Sequence, residues 1–481
     1  MELSLSKMTQ KLGLISCLAY CVGGMIGSGL FIAPSGVLLH AGSTGLLLIL
    51  LLVGAIFSAF GALVYIELGC WIPESGGGFA YLTHAGWHLC AVPLFWLGTF
   101  FTYPMFLAIQ TIALGQLLLK TIESWTELNA VEKFWTEWTL GNGLLVLISV
   151  LNMFSISKVA ARFQVVATIL KILVVFVIVS IGIDHLIRFG APTALSQPFV
   201  NSTNQPFKIV LGLYSSLFCY SGWEVLNVVL GEIQDPKVTL PIACIGAIVI
   251  VCFVSLAMNV AYFAVIEINA ITQTSAVAVL FSQITMSRTI SLLVPAAIAL
   301  LICGNLNMTI FGASRYMQSG ANKNVLPKWF GYVHPTYEAP RIAIVAQCLI
   351  AVALSFLGNL DQLISYMSYA ELLDRLFVQF AFLFMRYKQF PRPVGIYQNP
   401  IIISVVYLLI CILLLVIPLY QDVQIAIYGL SVFIISFLAY TLINQRKLLI
   451  NLAQDFKNRL LSCFGYKTKS RNSIVCDLNV K

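Results

Sequence analysis

The sequence predicts an all-α membrane protein with twelve transmembrane helices, and three observations carry that prediction. Hydrophobic residues make up 59% of the 481-residue chain, and charged residues only 10%, against about 25% in a typical soluble domain. Apolar runs near the length of about 20 residues that crosses a hydrocarbon core fall at 12–38, 44–69, 79–119, 140–157, 162–187, 207–231, 241–266, 290–319, 341–358, 361–385, 399–420 and 424–443. Two of them are interrupted, at comparable places in the two halves of the chain, by the helix-breaking runs Gly23 to Gly29 (GGMIGSG) and Cys219 to Trp223 (CYSGW).

The first run follows Lys7 and Lys11, exceeds a signal-peptide core in length and lacks a small-residue cleavage site. It therefore reads as a retained span. An even number of spans puts both ends on one side. With both termini in the cytoplasm, only Lys120, Lys133, Arg188, Lys208 and Arg288 fall outside, and Lys171 and Arg375 lie within spans. The other 20 of the 27 Lys and Arg residues, Lys158 among them, are then inside, as the positive-inside rule requires. The net charge of +8 is thus an orientation signal with some attraction to anionic lipid, and no nucleic-acid partner is implied. The organisation expected is a cytoplasmic N-terminus (1–11), a twelve-span domain (12–443) and a basic cytoplasmic tail (444–481). In that tail Phe456, Leu460 and Leu461 are spaced as a short amphipathic helix on the inner leaflet.

Most of the twelve cysteines sit within spans, so no disulfide framework is expected. Asn201-Ser202-Thr203 is a glycosylation sequon in an external loop, whereas Asn307-Met308-Thr309 falls inside a span and reads as a chance match.

The two breaks carry the chemistry. Glycines that unwind a span free backbone groups that hydrocarbon cannot satisfy, so the break must line a protein cavity. A new helix starting near Ser28 presents unpaired N–H donors suited to a carboxylate. At Phe218-Cys219-Tyr220-Ser221-Gly222-Trp223, the carbonyls ending the preceding half-helix can accept from an ammonium group. Paired breaks of this kind point to a midplane substrate site for an α-amino acid. The alternative is that Gly23 and Gly27, four apart, form a helix-packing face.

These residues resemble a known family, the amino acid–polyamine–organocation transporters, and specifically the y+L-like L-type light chains of heteromeric amino acid transporters. The resemblance runs from Gly13 to about Pro400 through IGSGLFIAPSGVL (26–38), YIELGCWIPESGGGFAYL (65–82), SKVAARFQVVATILKIL (157–173), LYSSLFCYSGWEVLNVVLGEIQDP (213–236), SRYMQSGANKNVLP (314–327) and FLFMRYKQFPRP (382–393). It implies a LeuT-like fold whose broken helices 1 and 6 belong to two inverted five-helix repeats, 12–187 and 207–385, with accessory spans 11 and 12 in 399–443. It also implies alternating access at the plasma membrane, by an exchanger of L-amino acids.

Carried onto this chain, the resemblance puts the carboxylate-binding backbone at Ser28 and Gly29 and the ammonium-binding carbonyls at Met25, Phe218 and Ser221. Phe218 also takes the position of an aromatic gate. Lys171 takes that of a lysine standing in for the sodium ion of sodium-coupled relatives, which implies sodium independence for at least part of the substrate range. A lysine snorkelling to the surface is the plain alternative. Glu224 occupies a position acidic in the y+L-type light chains, and Glu371 borders the distal pocket. Two carboxylates there would favour cationic side chains; otherwise Glu224 pairs internally, Glu371 is held by Arg375, and Asp374 turns away.

The chain departs from the family in three places. ELLDR (371–375) puts three charges where relatives are largely apolar or aromatic. Only Glu232 remains of a paired acid, with a cytoplasmic, structural role. The external loop from Lys120 to Trp138 lacks the cysteine that would bond a single-span glycoprotein heavy chain. A non-covalent heavy chain or delivery without a partner is left, and Trp125, Trp135 and Trp138 serve equally as interfacial anchors.

No P-loop, zinc-binding pattern or nucleophile elbow is present, so neither an enzyme nor a cofactor is expected. A channel would show a selectivity ring or filter. The expected function is exchange of cationic and large neutral L-amino acids. The alternatives are a sodium-independent exchanger of large neutral or aromatic amino acids, and an amino acid sensor-transporter.

Overall fold

The computed structural model describes residues 11–123, 128–154, 161–274, 276–334, 337, 339–357, 360–421 and 423–463. The first ten residues, Trp125, Lys158 and the tail from 464 onward lie outside the described residues. So do the side chains of Ser28, Phe456, Leu460 and Leu461.

The described chain is helical throughout, apart from one isolated parallel bridge between Leu12 and Ile233. The run expected at 12–38 is split into α1 (Leu14–Met25) and α2 (Ser28–Ala41), and α3 (Thr44–Trp71) follows after a turn at Gly42. Ser43 caps α3 by accepting from the Leu46 N–H at 3.3 Å. Next come α4 (Gly77–His84), α5 (His88–Leu97), a π-helical turn at Gly98–Thr102, α6 (Tyr103–Glu123), α7 (Ala130–Asn152), α8 (Ala161–Phe189) and α9 (Thr193–Ser196). Asn129 and Glu132 form a reciprocal capping box at the start of α7.

In the second half, α10 (Pro206–Cys219) and α11 (Val225–Val228) divide the run expected at 207–231. They are followed by α12 (Pro236–Val265), α13 (Ile268–Thr272), α14 (Val277–Thr285), α15 (Arg288–Asn322), α16 (Arg341–Leu354), α17 (Leu360–Tyr387), α18 (Ile401–Gln421) and α19 (Val423–Cys463).

Among the described residues, nine helices are long and apolar enough to cross a membrane, and Pro206–Cys219 and Arg341–Leu354 are shorter apolar helices. The run read as 79–119 is interrupted between α4 and α5. There Gly86, at φ +81°, allows a Schellman ending, with Trp87 N donating to Leu82 O and Gly86 N to Thr83 O, both at 3.0 Å. The last helix continues without a break to Cys463, so the start of the tail extends the final span.

Large side chains such as Trp223, Tyr20, Tyr214 and Tyr369 fill the interior, while Phe176, Phe253, Ile402 and Leu409 stand exposed on the outer faces of their helices. An apolar exterior over a core that also holds Lys171, Gln164, Asn305 and Arg375 is the arrangement bilayer solvent demands. The two broken pairs meet inside, where α2 packs on α10 and α1 packs on α8, α12 and α15.

Candidate functional site

The first break is a gap of two residues, Ile26 and Gly27, between α1 and α2. Helix geometry leaves the last carbonyls of α1 without intrahelical partners, and two polar side chains supply them. Lys171 Nζ, on α8, donates to Gly23 O at 2.5 Å and also to Asn305 Oδ1. The Asn305 amide in turn donates to Gly24 O at 2.9 Å. Gly27 sits directly against Asn305, so that any added Cβ would fall on its amide. Lys171 is fully buried and forms no ion pair among the described residues. At the other side of the gap, the Ser28 and Gly29 N–H groups begin α2.

The second break is longer. α10 ends at Cys219 and α11 resumes only at Val225. Gly222 lies at φ +113°, backbone that L side chains rarely adopt. The two breaks touch. A Cβ on Gly29 would lie 2.8 Å from Cys219 Cα and 3.0 Å from Phe218 O, and Cys219 Sγ donates to Gly29 O at 3.2 Å. The Met308 methyl reaches both Gly24 and Gly222.

Beside the second break opens a small, partly open cavity of about 100 Å³. Ser221, Glu224 and Glu371 line it, together with Asp374, Arg375 and the rings of Tyr65, Tyr103, Phe106 and Tyr316. Met25 and Phe218 are buried in the packing around it and do not line it. The Phe218 ring stands edge-on to Phe106, which lines the cavity, with centroids 5.5 Å apart.

One guanidinium organises the acids. Arg375 Nη2 bonds Glu371 Oε1 and lies 3.4 Å from Glu224 Oε1, with its plane 5.4 Å from the Trp223 ring. The second oxygens are also engaged, since Ser221 Oγ donates to Glu371 Oε2 and Gly222 N to Glu224 Oε2, each at 3.4 Å. Glu224 and Glu371 are thus paired internally. Asp374 is not turned away; it lines the cavity, and its buried Oδ1 has no hydrogen-bond partner.

A family model for amino acid permeases matches residues 12–443. The chain belongs to this amino acid permease family. The permease is 34% identical to the Amino acid transporter protein 6 of Caenorhabditis elegans, over 88% of this chain and 80% of that protein. It is 29% identical to the human cystine/glutamate transporter, over 86% and 81%. It is also 28% identical to the mouse large neutral amino acids transporter small subunit 2, over 90% and 81%. Family and relatives are transporters rather than enzymes, and the permease is a multi-pass membrane protein.

Elsewhere the segment before α1 is tied to the segment between α11 and α12. Leu12 N donates to Glu232 O at 2.7 Å, Gln234 N to Leu12 O at 2.9 Å, and Arg315 Nε reaches Glu232 Oε1 at 2.7 Å in a buried pair. Glu232 therefore ties α15 to the chain just before α12, while its backbone holds the start of α1. Asn201 is exposed, with left-handed backbone at φ 65°. Asn307 is buried and bonds Gln164 and Asn152, each at 3.0 Å. Its sequon is out of reach of a glycan. Sequence reasoning missed Asn305, the residue linking Lys171 to the first break. The available signal was a polar side chain in an apolar run, two residues before Asn307.

Proposed function

We propose that the permease is an alternating-access exchanger of L-amino acids, cationic and large neutral. The observation that carries this reading is the cavity at the second break. Three carboxylates and one guanidinium are its only charged lining residues among those described. Three acidic side chains against one guanidinium leave room for a further positive group in a partly buried site. A basic substrate side chain would supply it, while the apolar and aromatic walls suit large neutral ones.

In this reading the twelve spans form a LeuT-like fold, with inverted repeats over 12–187 and 207–385 and accessory helices in 399–443. The chain lies in the plasma membrane, and both termini are cytoplasmic. The α-carboxylate meets the N–H groups of Ser28 and Gly29, and the ammonium meets the carbonyls of Met25, Phe218 and Ser221. Phe218 gates the site together with Phe106. Lys171 replaces a sodium ion at the first break, and its bonds to Gly23 O and Asn305 support that role. A glycan at Asn201 and a non-covalent heavy-chain partner complete the picture.

The internal pairing of Glu224 and Glu371 with Arg375 favours a second reading, in which only neutral amino acids are exchanged. Proteoliposomes loaded with unlabelled amino acid separate the two. Uptake of both labelled arginine and labelled leucine, without sodium and only against internal substrate, supports the first. Uptake of leucine alone supports the second, and binding without counterflow would mark a sensor.

A further inference from the structure

We infer that Asp374, rather than Glu224 or Glu371, is the residue that reads a basic side chain on the substrate. The inference rests on the exchanger reading above and deepens it. All four carboxylate oxygens of Glu224 and Glu371 already have donors. Arg375 takes one from each, Ser221 Oγ takes a second and the Gly222 N–H takes the last. A substrate cation could engage them only by displacing a buried guanidinium that itself stacks over Trp223.

Asp374 is in the opposite condition. It follows Glu371 by one helical turn on the same face of α17, lines the same cavity and has a buried oxygen with no partner. Its other oxygen lies at the first turn of α4, where a Cβ added to Gly78 would sit 3.0 Å from Oδ2.

The surrounding rings fit a flat or compact cation. Tyr103 and Tyr316 line the cavity with Asp374, their centroids 5.1 Å apart. Gly98 makes room for them, since a Cβ there would approach the Tyr316 ring to 2.8 Å. A carboxylate with aromatic faces nearby combines ion pairing with cation–π attraction. The ligand class is therefore an amino acid with a guanidinium or ammonium side chain.

The test uses full-length protein in proteoliposomes loaded with unlabelled substrate, measuring exchange of labelled arginine and leucine for wild type and Asp374→Asn. The expected result is an arginine-to-leucine ratio at least about tenfold lower in the variant. An unchanged ratio, with both substrates exchanged by wild type, overturns the assignment and leaves the exchanger standing. Leucine exchange without arginine in wild type also overturns it, whereas exchange of neither substrate would fail the underlying reading. Should Asp374→Asn not accumulate, Asp374→Ser is read in the same way. In wild type, citrulline, which keeps the shape of arginine without its charge, should compete at least about tenfold less well than arginine; equal competition overturns the proposal.

Discussion

The two helix breaks answer the same backbone problem with different electrostatics. At the first, a single cation, Lys171, faces neutral acceptors, Gly23 O and the Asn305 amide oxygen. The carbonyls of Gly23 and Gly24 are satisfied from within, by Lys171 and Asn305. At the second, one cation, Arg375, is shared between two carboxylates while a third goes without. The first break thus sets its cation against neutral acceptors, and the second leaves one buried carboxylate oxygen without a partner. In the proposed exchanger, that difference would leave the constant contacts to the first break and the choice of side chain to the second.

The largest effect is expected where the comparison is sharpest. Arg375→Gln strands two half-buried carboxylates, which costs at most about 3–5 kcal/mol and should lower the melting temperature of the purified permease in detergent by several degrees. Adding Glu224→Gln and Glu371→Gln to that variant removes the stranded charges and should recover most of the loss. Equal melting of the single and triple variants would show that Arg375 is held by packing on Trp223, and the contrast between the breaks would dissolve.

Lys171→Met comes next. It leaves Gly23 O and Asn305 Oδ1 without a donor, each worth about 1–3 kcal/mol, and should reduce exchange of every substrate alike. If the ammonium occupies a cation position, sodium chloride should restore part of the variant's exchange where choline chloride does not. Wild type should respond to neither salt. A variant that loses arginine exchange alone would move substrate choice to the first break.

How much of this was legible in the sequence follows from distance along the chain. The breaks were readable because glycines in apolar runs are local signals, and Gly222 at φ +113° needs to be one. Lys171 was readable because a lysine at that depth is costly anywhere in a span. The partner of Glu224 was not, since Arg375 lies 151 residues away, whereas Glu371, one helical turn before Arg375, was readable as its neighbour. Which acid goes unpaired depends on side-chain directions that only the packing of α17 against α10 and α4 fixes. The interruption at Gly86 was hidden for a related reason. Thr83, His84 and His88 flank it, but a Schellman ending depends on two backbone bonds rather than on composition.

The smallest effect concerns the joint between the breaks. Cys219 Sγ, 3.2 Å from Gly29 O and 3.7 Å from Ser215 O, is a side-chain link from one break to the other. A thiol is a weak donor, and Gly29 already abuts the Cys219 backbone. Cys219→Ala should therefore leave that approach intact, cost less than about 1 kcal/mol and keep exchange within about fivefold of wild type, as a lost neutral hydrogen bond of that strength allows. A loss comparable to that of Lys171→Met would mean that the thiol, and not the glycine contact, couples the breaks. The constant site and the selective site would then move as one unit, and substrate choice would be sensed at Lys171 as well.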